Sequence, residues 1–188
     1  MPNWCENELT ITGPDVQKVL EAIRSESDED ARVLDFNQIL PYPKHFRELD
    51  ERSLQYQEQY LAVDRDDPER QARLDALAAE YSVEPGTPWL KDGFNSGGYE
   101  WCCEAWGTKW NAVRALLTEQ NNESALIDFD TAWSPPIPVI EKLSALFPDH
   151  QFTLEYFEGG CGFCGQARWE KGNEQYHNQG DYDGPRGG

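Results

Sequence analysis

Hydrophobic and polar positions change their period several times along the chain, and each period predicts an element. From Trp4 to Thr12 the two kinds of residue largely alternate, which is typical of a strand with one buried face. After a Gly-Pro-Asp break, apolar residues recur every three or four positions from Val16 to Ile23, which predicts an amphipathic helix. Val33 to Leu40 predicts a second strand. The amino-terminal part therefore predicts a β-α-β unit.

A helical insertion is predicted at about residues 44–83, where charge rises and apolar residues become sparse. A weak apolar stripe runs from Phe46 to Tyr60, and a clearer one runs from Leu74 to Tyr81. Residues 84–98 are rich in glycine and proline, which predicts a loop.

A second β-α-β unit is predicted after that loop. Tyr99 to Trp106 is aromatic-rich and predicts a strand, and Leu126 to Trp133 predicts another. Between them, Thr108 can cap a helix whose inward face holds Trp110, Val113, Leu116 and Leu117.

The remaining residues predict a helix, two strands and a tail. Ser134 and the two prolines after it predict the start of a helix that extends to Phe147. Phe152 to Phe157 and Phe163 to Trp169 predict a pair of strands. Residues 171–188 are polar and glycine-rich without an apolar period, which predicts a flexible tail.

These elements predict an α+β, ferredoxin-like fold. It would consist of a split β-α-β sheet with helices on one face, a helical insertion, and an extra C-terminal helix and strand pair. A chain of 188 residues suits one core, so we assign a single domain to residues 1–170.

Charge narrows the classes of partner. The chain has 35 acidic and 16 basic residues and a net charge of -19, so direct binding to nucleic acid or to an anionic membrane surface is not expected. The amino end lacks the basic and apolar regions of a secretory signal, and no window approaches a membrane span. We expect a soluble, cytoplasmic protein whose five cysteines are reduced.

Four stretches of the sequence together carry a family resemblance. They are Met1-Pro2-Asn3-Trp4-Cys5 with Asn7, Leu9, Ile11 and Gly13; Trp106-Gly107-Thr108-Lys109-Trp110; Thr131-Ala132-Trp133-Ser134-Pro135-Pro136; and Phe152 to Glu158 with Gly159. In combination they resemble the YubB-like family of small proteins carried by bacteriophages, plasmids and related bacterial loci. The resemblance implies a ferredoxin-like domain with no established activity.

The cysteines are the candidate metal ligands. Cys161 and Cys164 have the spacing of a metal knuckle, in which two thiolates converge across a glycine-containing turn. A closed zinc site needs four ligands, which Cys5 and either Cys102 or Cys103 could complete. A redox-active dithiol and plain buried or turn cysteines are the alternatives. No other cofactor is predicted.

The tryptophan-rich segments give the candidate binding surface. Trp106 and Trp133 would end consecutive strands, each followed by a helix start, so six residues would cluster at one edge of the sheet. Helix N-termini favour anions, and indole faces hold cations or planar groups. The alternative is that the indoles only pack in the core or at its rim. The six residues are Trp106, Thr108, Lys109, Trp110, Trp133 and Ser134.

Three functions are compatible with these features. The first is a non-catalytic binding or accessory protein, associated with phage, plasmid or related loci, that acts through a protein partner. The second is a zinc-binding or thiol-dependent enzyme that uses Cys161 and Cys164. The third is an acidic DNA mimic, in which carboxylates stand in for phosphates on a basic host protein. No residue is predicted to be catalytic, and the sequence does not determine the oligomeric state.

Overall fold

The computed structural model describes residues 3–25 and 31–184, which fall into two compact units. One comprises Met1–Pro41 and Trp101–Gly188, and the other Tyr42–Glu100. The helices are α1 (Val16–Ile23), α2 (Lys44–Ala62), α3 (Arg70–Tyr81), α4 (Gly98–Ala105) and α5 (Ile137–Leu146). The strands are β1 (Trp4–Thr12), β2 (Val113–Gln120), β3 (Ser124–Ala132), β4 (Gln151–Glu158), β5 (Phe163–Glu170) and β6 (Asn173–Asp181).

The strands of the first unit form one antiparallel sheet in the order β2-β3-β1-β4-β5-β6. The segment β1-α1-β2-β3-α5-β4, with β1 between β3 and β4, is a ferredoxin-like arrangement. β5 and β6 continue the sheet beyond β4 as a meander. The predicted fold class is therefore confirmed.

One face of the sheet forms the core. On β1 the side chains of Cys5, Asn7, Leu9 and Ile11 are buried, whereas Glu6 and Glu8 between them are exposed. The apolar stripes of helices α1 and α5 are buried as well, as expected for amphipathic helices that cover a sheet. The buried residues are Val16, Val19, Leu20 and Ile23 on α1, and Val139, Ile140 and Leu143 on α5. The opposite face of the sheet, which carries Glu6 and Glu8, we call the open face.

The prediction of a strand at Val33 to Leu40 is wrong. This segment is irregular apart from a 3-10 turn at Phe36–Gln38. Both edges of β1 are already paired with β3 and β4, so the segment uses its apolar residues for core packing rather than for a ladder. The carboxylate of Asp35 caps the turn by accepting hydrogen bonds from Asn37 N at 3.0 Å and Asn111 Nδ2 at 2.6 Å.

The predicted second β-α-β unit has its first two elements exchanged. Tyr99 to Trp106, predicted as a strand, lies mainly in helix α4, and the helix predicted after Thr108 is replaced by strand β2. The spacing of Val113, Leu116 and Leu117 fits a helix, but the segment is a strand whose pairing with β3 is irregular at two points. Leu116 and Leu117 are consequently exposed rather than buried.

The flexible tail predicted at 171–188 is also corrected, because β6 pairs with β5 along Asn173–Asp181. Every side chain of this edge strand is exposed, so the strand needs no apolar period and depends on backbone pairing. Residues 185–188 of the tail lie outside the described residues, as do residues 1–2 and 26–30.

Helices α2 and α3 lie within the insertion predicted at about 44–83, and the second unit, Tyr42–Glu100, extends beyond them. In the second unit, Tyr56 of α2 and Leu77 and Tyr81 of α3 form a small core, joined by Tyr60, Val83 and Leu90. The loop that follows is fixed to α2, because Ser53 Oγ donates a hydrogen bond to Leu90 O at 2.7 Å and Tyr56 Oη donates one to Thr87 O.

Across the described part of the chain, no helix combines the length and the apolar character needed to cross a membrane.

We predict that Gly13→Ala destabilises the first unit by about 2–4 kcal/mol in urea unfolding. Gly13 has φ +151°, and a Cβ there would lie 2.6 Å from His150 Cδ2. Gly180→Ala is the matched control: nothing lies within 4 Å of its Cβ position, so a change below about 0.5 kcal/mol is expected. Equal effects of the two substitutions would contradict this account.

Candidate functional site

Three segments distant in sequence meet at one end of the sheet. The backbone N–H of Trp133 donates to Asn3 O at 3.0 Å. Thr108 Oγ1 donates to Ala132 O at 2.8 Å, and Ser134 Oγ donates to Gly107 O at 2.6 Å. These bonds join the segments that carry the amino-terminal, Trp-Gly-Thr-Lys-Trp and Thr-Ala-Trp-Ser motifs.

Asn7 extends this network into the core. Its Nδ2 donates to Cys5 O at 2.8 Å and to Thr131 Oγ1 at 2.9 Å, and Thr131 Oγ1 in turn donates to Ser134 O at 2.8 Å. Asn7 and Thr131 are both buried. Buried polar groups are costly unless they are paired, so this network fixes how β1 and the end of β3 meet.

Three of the six residues predicted for binding therefore have structural roles. Trp106 is 5% exposed, packs edge-on against Phe36, and donates from Nε1 to Leu40 O at 2.8 Å. Thr108 is buried, and neither it nor Ser134 caps a helix, since β2 follows the first and α5 begins after Pro136. Only one of the two helix N-termini predicted at this edge exists.

The other three residues assemble with two that sequence reasoning missed. Lys109 Nζ lies 4.5 Å from the ring centroid of Trp110 and 4.9 Å from that of Trp133. The rings of Trp110 and Trp4 are 6.1 Å apart, and Arg114 Cζ lies 5.4 Å from the Trp4 ring centroid. We call these five residues the tryptophan–cation ladder.

The ladder is exposed, and two of its residues have an uncommon backbone conformation. Trp133 is 43% exposed and Trp110 36%, and Lys109 occupies the position between them that a ligand cation would take. Trp133 and Arg114 both have positive φ, 72° and 54°, a backbone conformation that is uncommon for residues other than glycine. At Arg114 the irregularity in β2 directs the side chain toward Trp4 and Asp130, with which it forms an ion pair.

Asp130 connects the ladder to a groove on the open face of the sheet. This groove, which we call the open-face groove, has a volume of about 620 Å³. Five carboxylates line it, from β1, β3 and β4: Glu6, Glu8, Asp128, Asp130 and Glu155. On the other side Phe157 and Tyr182 stack with centroids 4.7 Å apart at 16°, and Tyr176 lies in the wall.

The carboxylates of the groove are crowded and poorly neutralised. Burial and the neighbouring carboxylates of Glu155, Asp128 and Glu119, in that order of effect, raise the pKa of Glu8 above its usual value. Among the ion pairs between described residues, none involves Glu6, Glu8 or Asp128. The alternation of β1 predicts that Glu6 and Glu8 share one face, but Tyr176 and Tyr182 of the wall lie in the segment predicted as a flexible tail.

The predicted four-cysteine site is not assembled. Cys5 lies on the buried face of the sheet, whereas the pairing of β4 with β5 puts Cys164 on the open face, where it lines the groove. Cys102 is buried in α4, and Cys161 is exposed in the turn between β4 and β5. The described residues contain no cluster of three or more His, Cys, Asp or Glu side chains arranged to hold a metal ion.

The thiols of Cys5 and Cys161 and the hydroxyl of Tyr156 have raised pKa values, so they are not activated. Burial raises the pKa of Cys5 to about 12, and a hydrogen bond to the Glu158 carboxylate raises the pKa of Cys161. Tyr156 Oη is 2.8 Å from His177 Nε2, but burial raises the pKa of the Tyr156 hydroxyl. All three groups are therefore held in their protonated, weakly nucleophilic forms.

Part of the chain is similar to a ferredoxin-like family and to one named relative. Residues 105–184 match the family described as "Ferredoxin-like domain in Api92-like protein". The chain is 37% identical over 92 residues to the uncharacterized protein YubB of Escherichia coli strain K12, an alignment that covers 43% of this chain and 61% of YubB. The chain thus spans less than two thirds of that relative.

A solved structure agrees with the fold. The crystal structure of protein api92 from Yersinia pseudotuberculosis superposes with a TM-score of 0.51 at 15% identity, covering 98% of this chain and 99% of api92. At that identity the likeness concerns the fold alone. The named relatives are uncharacterised proteins, so they assign no reaction or partner.

We predict that Thr108→Val lowers the free energy of unfolding by about 1–2 kcal/mol, because the buried Ala132 carbonyl loses its hydroxyl donor. Thr118→Val is the control, since its hydroxyl bonds Leu126 O at 3.2 Å on an exposed strand and should cost below about 0.5 kcal/mol. Thr108→Ser should keep most of the stability. If Val and Ser at position 108 are equally stable, the hydrogen bond has no structural role.

We predict that Glu158→Gln makes Cys161 more reactive. Removing the carboxylate lowers the pKa of the thiol, so more thiolate is present at pH 8 and alkylation by iodoacetamide accelerates, on the order of threefold. Labelling is measured by mass spectrometry in a Cys164→Ser background. Glu155→Gln, on the other face of β4, should leave the rate unchanged, and unchanged labelling in Glu158→Gln would show that this carboxylate does not control the thiol.

Proposed function

We propose that this chain is a non-catalytic protein-binding domain, acting as an accessory protein in the cytoplasm, and that the tryptophan–cation ladder is part of its binding surface. The observation that carries the proposal is the exposure of Trp110 and Trp133 around Lys109. Tryptophan and arginine are the residue types that contribute most to protein interfaces. The ladder presents three indoles and two cations in one patch.

The contacts that hold Lys109 and the turn at Trp133 support a binding role. An interface whose side chains are already fixed loses less conformational entropy when a partner docks. Lys109 is held between two rings, and the hydrogen bonds of Trp133 N and Ser134 Oγ fix the turn on which Trp133 stands. The surface is thus preorganised.

The raised pKa values of the Cys5 and Cys161 thiols favour binding over the enzymatic alternative. A thiol enzyme lowers the pKa of its nucleophile, whereas here the pKa values of Cys5 and Cys161 are both raised. Association with phage or plasmid loci remains part of this proposal through the family resemblance. DNA mimicry stays a prediction from net charge.

We predict that Trp133→Ala and Lys109→Ala each weaken partner binding while the domain stays folded. Truncating a central interface tryptophan costs about 2 kcal/mol or more, equivalent to about 30-fold in Kd. Partners are first identified by photo-cross-linking from position 110, and Kd is then measured with purified protein. Far-UV and near-UV circular dichroism report folding.

Trp89→Ala is the matched control, because Trp89 is 67% exposed and lies outside the ladder. It should bind the partner like the unaltered chain. The proposal fails if both ladder variants unfold, or if they remain folded and bind as tightly as Trp89→Ala.

A further inference from the structure

We propose that the open-face groove binds an extended, cationic segment of a partner protein, with arginine or lysine at alternate positions. This inference rests on the proposed protein-binding function and specifies the chemistry of the partner. It is carried by the shape of the groove, the register of its carboxylates, and its aromatic wall.

The register of β1 and β3 sets the carboxylates in a regular array. Glu6 pairs with Asp130 and Glu8 with Asp128, so two adjacent strands carry two carboxylates each. Glu155 on β4 pairs with Glu8 from the other side. Alternate residues of a strand are about 6.6–6.8 Å apart, and neighbouring strands are about 4.8 Å apart.

An extended segment has the same repeat as these strands. Basic side chains at every second position therefore fall at the same interval as Glu6 and Glu8 when the segment lies along β1. Three basic residues in a row could not all point toward the groove, because successive side chains of an extended chain alternate in direction. The array thus selects spacing as well as charge.

Charge complementarity identifies the occupant as cationic. Five carboxylates line the described groove, and its lining includes neither lysine nor arginine. Arg114 neutralises Asp130 at the ladder end only. A second copy of this chain would bring the same carboxylates and a further net charge of -19, and nucleic acid would be repelled in the same way.

The aromatic wall favours arginine over lysine. The stacked rings of Phe157 and Tyr182 and the 44%-exposed ring of Tyr176 border the carboxylates. A guanidinium can stack on an aromatic face while it donates two parallel hydrogen bonds to a carboxylate, which an ammonium cannot do. The groove therefore offers both interactions to the same side chain.

The test uses three synthetic seven-residue peptides with capped ends. One alternates threonine and arginine, one has the same composition with the three arginines contiguous, and one alternates threonine and lysine. Isothermal titration calorimetry at low salt measures their Kd for the full chain. We expect the alternating arginine peptide to bind most tightly, by about threefold to fivefold over either of the others.

Charge-removing variants locate the binding site. Glu8→Gln and Asp128→Asn should each weaken the alternating peptide by about threefold to fivefold. Glu141→Gln removes the same charge from the exposed side of α5 and should change Kd by less than about twofold. The groove variants remove like-charge repulsion, so thermal unfolding should show equal or greater stability than the unaltered chain.

Several results would overturn the inference. These are no measurable binding of the alternating peptide, equal binding of the alternating and contiguous peptides, or equal weakening by Glu8→Gln and Glu141→Gln. Competition by spermine at concentrations equal to those of the peptide would also overturn it, since the groove would then be a general cation site.

Failure here is distinguishable from failure of the proposed function. The Kd of a partner identified through the ladder is measured for the Glu8→Gln/Asp128→Asn double variant. If Trp133→Ala loses that partner and the double variant retains it fully, the ladder binds a protein and the groove proposal is wrong. If the peptide binds as expected and both ladder variants keep their partner, the ladder assignment is wrong and the groove stands.

Discussion

The structure depends on one strand, β1, which is hydrogen-bonded along both edges and is tied down at its amino end. β3 and β4 pair with it over nearly its whole length. At its start, Trp133 N donates to Asn3 O, and Asn7 Nδ2 bonds both Cys5 O and Thr131 Oγ1. These contacts fix the position of β1 and therefore determine which face each of its side chains occupies. The residues at odd positions from Cys5 to Ile11 form the core, and Glu6 and Glu8 face outward.

This constraint explains why polar residues are present in the motifs. Thr108, Thr131 and Ser134 donate to the backbone carbonyls of Ala132, Ser134 and Gly107, respectively. Their hydroxyls thus hold the segments at this end of the sheet in contact. The adjacent Lys109 and Trp133 are left outside with their backbones fixed. The hydrogen bonds of Thr108, Thr131 and Ser134 therefore both hold the packed segments together and support the exposed aromatic rings of the ladder.

Amphipathic elements could be predicted from the sequence, and elements defined by pairing could not. β1, α1 and α5 each bury one regular face, so their periods were visible. β6 has no buried side chain and β2 is irregular, so neither has the expected alternation. At the candidate site, Lys109, Trp110 and Trp133 were predicted, but Arg114 and Trp4 were not. Their contact depends on the irregularity in β2, which no local pattern predicts.

Arg114 sets the division of charge between the two surfaces. Its guanidinium contacts the Trp4 ring and pairs with Asp130, so it cancels the charge of the groove where the groove meets the ladder. The carboxylates without a basic partner in the described chain, Glu6, Glu8 and Asp128, lie beyond that point. A partner that spans both surfaces would therefore meet aromatic rings and bound cations at one end and uncompensated negative charge at the other. The charge pattern therefore favours basic residues of the proposed segment beside Glu6, Glu8 and Asp128, away from the ladder.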